Sequence, residues 1–217
     1  MVERIQAIQV RQTLLNLMTR ITDAKDELNI MDSACGDGDF GTSMWISFSN
    51  ARKQIDESTE TNVGTMLLTA GQAILSSAGG AAGPIFGLFF IEAGKAAKGV
   101  HELDIADLAK MFDASLIAIK RQGGAKVGDK TVVDALEPAV DALKESANKS
   151  VGVSVGLKNA ANAAEKGCES TKEIIARHGK AKYLGEQTLG YVDPGAHVMA
   201  IIFETLAESC RTVGGMK

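Results

Sequence analysis

Apolar residues in this chain recur mostly at three- and four-residue intervals, the period of an amphipathic helix, and almost nowhere alternate as a strand would. Ile5, Ile8, Val10, Leu14, Leu15, Leu17, Met18, Ile21 and Leu28 keep that period and predict one long helix over residues 2–30. A second run, over 42–55, carries Met44, Trp45, Ile46 and Phe48; a third, over 63–77, carries Met66, Leu67, Ala70, Ile74 and Leu75. Residues 85–97 are nearly all apolar or small, which predicts a buried helix with Pro84 in its first turn. Asp104 reads as the N-cap of a helix reaching about residue 121, with Leu108, Met111, Phe112, Leu116 and Ile119 facing inward. Further helices are predicted up to about 149, over 157–175, and from Pro194 to about 213, ahead of a frayed tail at 212–217. Residues 151–156 would pass for a short strand, but the helix that follows is extended backward in preference. Residues 178–193 keep no firm period. Trp45 and the methionines fall on helical stripes and are assigned to the core. The sum is about eight helices, no convincing strand and no linker: an all-α fold, one domain over 1–217.

Glycine-rich breaks separate these helices at 36–41, 79–83, 123–128 and 190–195. Connection alone requires fewer, and loops gathered at one rim of a helical barrel would converge on a ligand. The densest chemistry lies in the first. Met31-Asp32-Ser33-Ala34-Cys35-Gly36-Asp37-Gly38-Asp39-Phe40-Gly41-Thr42-Ser43 crowds three carboxylates and three glycines ahead of a helix. Like charges this close call for a cation between them. Glycines let a ligand approach the main chain, and a helix start at Thr42 and Ser43 suits an anion. Hard oxygen ligands beside a helix N-terminus suit a Mg²⁺–nucleotide pair. The plain alternative is a polar turn with an Asp or Thr helix cap.

The other breaks are weaker signals. Gly79-Gly80-Ala81-Ala82-Gly83-Pro84 reads equally as a phosphate-cradling turn and as a tight helix corner. Gly123 to Thr131 has the look of a Walker A loop but fails it, because Asp129 separates Gly128 from Lys130 and no strand precedes. Asp37-Gly38-Asp39 opens like an EF-hand, yet twelve-residue loops from Asp32 or Asp37 end at Ser43 or Phe48, not Glu. Asp193-Pro194-Gly195 is explained by an N-cap, and Arg177, Lys180 and Lys182 by a solvated face. His101, His178 and His197 show no metal-ligand spacing.

Composition narrows the partners. With 23 Lys+Arg against 27 Asp+Glu and 5% aromatics, the chain offers neither the charge nor the stacking surface for nucleic acid. No apolar run is long enough for a membrane span, and the N-terminus does not look like a signal peptide. Three scattered cysteines, Cys35, Cys168 and Cys210, fit reduced thiols in a cytoplasm.

Taken in order, the motifs Asp-x-x-x-x-Gly-Asp-Gly-Asp-x-Gly, Gly-Gly-Ala-x-Gly-Pro, Gly-Asp-Lys-Thr, Tyr-Leu-Gly-Glu and Val-Asp-Pro-Gly resemble the L (nucleotide-binding) subunit of dihydroxyacetone kinases over nearly the whole chain. The resemblance implies an eight-helix barrel with ADP or ATP and two Mg²⁺ at one end. It implies Asp32, Asp37 and Asp39 as metal ligands, and Phe40, Gly41, Thr42 and Ser43 along the phosphates through N–H and hydroxyl groups. Ala81 and Ala82 would sit against the nucleotide, Gly123 and Val132 would flank adenine, and Asp193, Pro194 and Gly195 would close the site. Lys180 stands at a phosphate-binding arginine of the family, Phe40 at a common histidine, Ala82 at a frequent serine and Val132 at a common methionine. The family's sugar is held on a separate K subunit through a histidine. ATP is consumed in one mode; in the other, bound ADP is rephosphorylated by a phosphotransferase-system subunit. The implied function is therefore half of a kinase, catalysing transfer to dihydroxyacetone or a related ketose only with a K-type partner. A nucleotide-bearing regulatory module that binds a partner without transfer is the alternative. Sugar, donor and oligomeric state, a homodimer included, stay open.

Overall fold

The structure, a computed structural model, describes residues 3–77 and 82–211. Nine α-helices are present among them: α1 (Ala7–Asp23), α2 (Lys25–Ser33), α3 (Phe40–Glu57), α4 (Val63–Ser77), α5 (Ala82–Ala96), α6 (Ile105–Gly123), α7 (Val132–Asn148), α8 (Val153–Ser170) and α9 (Pro194–Arg211). The predicted all-α fold holds. Eight of these helices close a ring: α1 packs on α3, each helix from α3 to α8 packs on the next, and α9 returns to α1. The ninth, α2, lies outside that ring against α3.

Three local expectations need correction. The predicted helix over 2–30 is two helices, broken at Ala24 (φ −75°, ψ 4°), and its first turn begins at Ala7. No glycine or proline marks the break, so tertiary packing makes it: α2 turns so that Leu28 is buried while Ile30 stays 73% exposed. Two short strands exist, β1 (Ile5–Gln6) and β2 (Glu102–Leu103), paired antiparallel and pinned by Arg4 and Gln6 on the Glu102 carboxylate at 2.5 and 2.7 Å. Two residues are too few to show alternation. Trp45 is not core; it is 46% exposed, with the Lys25 ammonium 5.7 Å from its ring centre. Five methionines (Met18, Met44, Met66, Met111 and Met199) are buried as expected.

Helix ends follow the sequence closely. Asp104 caps α6 by accepting the Ala106 and Asp107 N–H groups, and α4 spans the predicted 63–77. The backward extension of α8 holds, to Val153, whereas its C-terminus passes into a 3-10 turn at Thr171–Glu173. The predicted helix end at 213 and the tail at 212–217 lie outside the described residues, as does residue 2.

Two features fill the ring. On α4, Gly64 and Gly71 face Gly94 and Gly87 of α5, so the two backbones meet almost without side chains between them. A Cβ on Gly71 would stand 2.7 Å from the Ile91 nitrogen and 2.8 Å from the Gly87 carbonyl oxygen. All seven phenylalanines form one connected series of ring contacts. It runs from Phe40 through Phe86, Phe48, Phe90, Phe89 and Phe112 to Phe203, with centroids 5.2–6.5 Å apart. This series links α3, α5, α6 and α9 and begins at the acidic turn.

Candidate functional site

The acidic turn joins α2 to α3. Asp32 stands in the last turn of α2, and its Oδ2 accepts the N–H groups of Gly38 (2.8 Å), Asp39 (3.2 Å) and Phe40 (3.3 Å). Gly38, at φ +76°, makes the turn that brings those donors together, and a side chain at Gly36 would run into the Asp32 carboxylate. Asn29, one turn earlier in α2, fixes the start of α3 from below. Its Oδ1 accepts the Thr42 N–H at 3.0 Å and its Nδ2 donates to the Thr42 hydroxyl at 3.1 Å. Asp39 occupies the N-cap position of α3, yet its side chain makes no cap hydrogen bond.

The cap reading is thus half right: Asp32 caps α3 from the preceding helix, and Asp37 and Asp39 do not. Carboxylate oxygens of Asp32, Asp37 and Asp39 lie within 4.8 Å of one another, Asp32 partly buried and the other two exposed. Among the described residues the cation paired with this cluster is Lys180, whose ammonium bonds the Asp37 carboxylate. That bond holds the Asp37 carboxyl below the usual carboxylate range and raises the Lys180 ammonium. Three hard oxygen donors in this arrangement suit a divalent cation such as Mg²⁺.

The turn opens on a cleft of about 530 Å³ at one end of the ring. Asp32, Asp37, Asp39, Phe40, Ser43, Val132, Lys180, Asp193, Pro194 and Gly195 all line it, so ten of the residues singled out in the sequence share one cavity. The glycine-rich breaks at 36–41 and 190–195 reach this rim, while the break at 123–128 passes it on through Lys130, Thr131 and Val132. Residues 79–81 of the fourth break, Ala81 among them, lie outside the described residues; Ala82 begins α5. Gly123 ends α6 on the surface and does not line the cleft. Gly41 and Thr42 stand behind it, Gly41 so close to the Lys25 carbonyl that a side chain would collide.

The expected row of free N–H groups along the phosphates is mostly spoken for. Phe40 donates to Asp32, Thr42 to Asn29 and Ser43 to the Asp39 carbonyl at 3.0 Å. Polar chemistry at this end is therefore carried by side chains: three carboxylates, the Ser43 hydroxyl and Lys180. The cleft also has an apolar stretch of Ile85, Phe86, Val132, Val192 and Pro194.

Sequence reasoning missed Lys130 and His178. Lys130 is 4% exposed, takes a left-handed backbone (φ +61°) and donates from Nζ to the carbonyls of Thr171 (2.5 Å) and Tyr191. Burial lowers the pKa of its ammonium, opposed by Asp193, Cys35 and Asp134. Burial would raise the Asp129 carboxyl, but the Lys126 N–H and His178 outweigh it and hold that group below its ordinary value. Asp193 behaves oppositely. Its Oδ2 accepts the Ala196 N–H at 2.7 Å, and although the residue keeps some contact with solvent, its carboxyl is enclosed by protein and pushed up to about 7. Two signals touched Lys130, the dismissed Walker likeness and the Gly-Asp-Lys-Thr motif, and neither gave it a role.

The DAK2-domain family model matches residues 34–208. The chain belongs to that family. It is 35% identical over 205 residues to the ADP-binding subunit DhaL of a PEP-dependent dihydroxyacetone kinase from Escherichia coli (strain K12), covering 93% of this chain and 98% of that subunit. It is 36% identical to the L-erythrulose 1-kinase of Mycolicibacterium smegmatis, over 86% of this chain but 33% of that enzyme. The dihydroxyacetone kinase of C. freundii, in a crystal structure with AMP-PNP and Mg²⁺, superposes with a TM-score of 0.73 at 26% identity, over 96% of this chain and 35% of that one. The L-type resemblance read from the motifs is borne out. No helix among the described residues is long and apolar enough to cross a membrane.

Proposed function

We propose that this DAK2-family chain is the nucleotide-bearing half of a two-part kinase, holding Mg²⁺ and ADP or ATP in the cleft between the acidic turn and the 190–195 loop. The observation that carries this is the convergence of Asp32, Asp37 and Asp39 at the mouth of a cleft that also has an apolar stretch. Phosphates need the charged end and a base the apolar stretch. Bound there, two Mg²⁺ would neutralise charge on the transferable phosphate. Asp32, Asp37 and Asp39 would hold the metal, Asp32 while still capping α3. Lys180, bonded to Asp37, would supply a positive charge beside the acids, and Ser43 a hydroxyl. Phe40, Val132, Pro194 and Gly195 bound the remainder of the cleft, with Asp193 fixing the start of α9.

The acceptor in this reading is dihydroxyacetone or a related small ketose held on a K-type subunit. The match along 98% of the PEP-dependent subunit DhaL supports the carrier mode, in which retained ADP is recharged by a phosphotransferase-system partner. The test is reconstitution: this chain, a K-type subunit, Mg²⁺ and dihydroxyacetone, with either labelled ATP or labelled phosphoenolpyruvate plus the phosphotransferase-system proteins as donor. Label should reach the sugar from one of the two donors with the native chain and from neither with Asp37→Ala. A native chain that binds nucleotide but passes no label would favour a regulatory module instead.

A further inference from the structure

Residues 171–193 form a strap between α8 and α9 that carries Lys180 and Asp193 to the cleft. Burial does little to place it. Between residues 171 and 191 the buried positions are Thr171, Ala176 and Thr188, while Tyr183 is 82% exposed and Leu189 and Tyr191 are also exposed. A segment whose apolar anchoring is limited to small contacts at Ala176 and Val192 depends mainly on polar bonds for its position. Those bonds come largely from two neighbouring residues of the α6–α7 loop. Lys130 Nζ donates to the carbonyls of Thr171 and Tyr191, the two ends of the strap. Asp129 holds the middle: its carbonyl accepts the Arg177 N–H at 3.1 Å, and its Oδ2 lies 3.2 Å from His178 Nε2. Within the strap, the Thr171 hydroxyl accepts the Asp193 N–H at 2.9 Å and the Lys172 carbonyl accepts the Gly190 N–H at 2.8 Å, closing it into a loop. Both anchoring residues are 4% exposed, and Lys130 keeps a backbone conformation that a non-glycine residue adopts only when its surroundings demand it.

We infer that Lys130 is a positioning residue for nucleotide binding: its buried ammonium, aided by Asp129, ties both ends of the strap so that Lys180 and Asp193 stand at the cleft. The inference rests on the proposed nucleotide site but is separable from it, because the strap can be examined with no nucleotide present. Hydrogen exchange on the free protein is the first arm. Lys130→Met should speed exchange at Ala176, Arg177, Gly190 and Asp193 at least tenfold, with α5 and α6 unchanged. Calorimetric titration with Mg·ADP is the second. Lys130→Met should weaken binding about tenfold or more, and Lys180→Ala should cost clearly less in that background than in the native chain, because an untied strap no longer presents Lys180. Unchanged strap exchange, or losses that simply multiply, would overturn the inference. If the native chain binds no Mg·ADP, the functional proposal fails, and the exchange arm still decides whether Lys130 ties the strap. Should Lys130→Met not fold, His178→Ala, on a partly exposed side chain, cuts the Asp129 contact. Faster exchange around 176–180 with weaker Mg·ADP binding is expected of it; unchanged exchange and unchanged binding would overturn the inference.

Discussion

In the proposed site Asp32 would serve two purposes with one carboxylate, and the three acids of the turn should separate on that account. Its Oδ2 collects three N–H groups at the start of α3, whereas Asp39 caps nothing. Hydrogen bonds to a charged acceptor contribute about 1.5–3 kcal/mol, more than the ~1 kcal/mol of repulsion relieved when one of two solvated carboxylates about 5 Å apart is neutralised. Asp32→Asn should therefore lower the melting temperature of the metal-free protein. Asp39→Asn should leave that temperature within about 2 °C, a change of roughly 0.5 kcal/mol in a chain this size, and still abolish stabilisation by Mg²⁺ and nucleotide. Scanning fluorimetry with and without Mg·ADP checks both, and a large loss in metal-free Asp39→Asn would contradict this division of labour.

Asp193 gives a pH signature. Its folded-state pKa, raised to about 7 by burial, exceeds the value of about 3.9 it has unfolded. The unfolded chain therefore gives up its proton first as pH rises, so this group's contribution is full below about pH 4 and lost as pH climbs through 7. Asp193→Asn should flatten the fall in melting temperature between pH 5 and 8 relative to the native chain; parallel curves would show that the acid is not enclosed. The carboxylates of the turn were legible in the sequence because they sit together in it. Lys130 was not: its partners are 41 and 61 residues away, and only the folded chain brings them together.

At the scale of elements, helical period and capping chemistry carried most of the information. The α4 bounds and the Asp104 cap follow from local residues alone. What local pattern does not encode is direction. The break at Ala24 aims α2 so that Asn29 and Asp32 reach α3, and no turn residue announces it. The stripe containing Trp45 was misread because the inward face of α3 is Met44, Phe48, Ala51 and Ile55, and Trp45 stands one position off it. The strap at 171–193 lacked a period because it is built from 3-10 turns and polar bonds. Close backbone contact makes a sharper demand. Gly71→Ala should destabilise by about 1–3 kcal/mol despite alanine's better helix propensity, since the new Cβ meets α5 backbone on two sides. Gly123→Ala meets nothing within 4 Å and should leave the melting temperature unchanged or slightly higher. Equal effects of the two substitutions in thermal denaturation would count against the tight α4–α5 seam.

At the scale of the whole molecule, a closed ring of helices brings loops distant in sequence to one end. The barrel was implied by the family resemblance and agreed with the helix count, and two of the four glycine-rich breaks reach the cleft; which backbone groups remain free at the rim was not foreseeable, because side chains of α2 had already claimed them. The phenylalanine series runs from Phe40 and Phe86, which line the cleft, through the core to Phe203 on α9. The claim on which everything depends is that this cleft holds adenine nucleotide through a metal on Asp32, Asp37 and Asp39. Native mass spectrometry of the purified chain, with Mg²⁺ and ADP or ATP and again after EDTA, addresses it most directly. Bound nucleotide with Mg²⁺, lost on chelation and absent from Asp37→Ala, is the expected result. No adenine nucleotide under any metal condition would contradict the account, and the acidic turn would then be a helix cap.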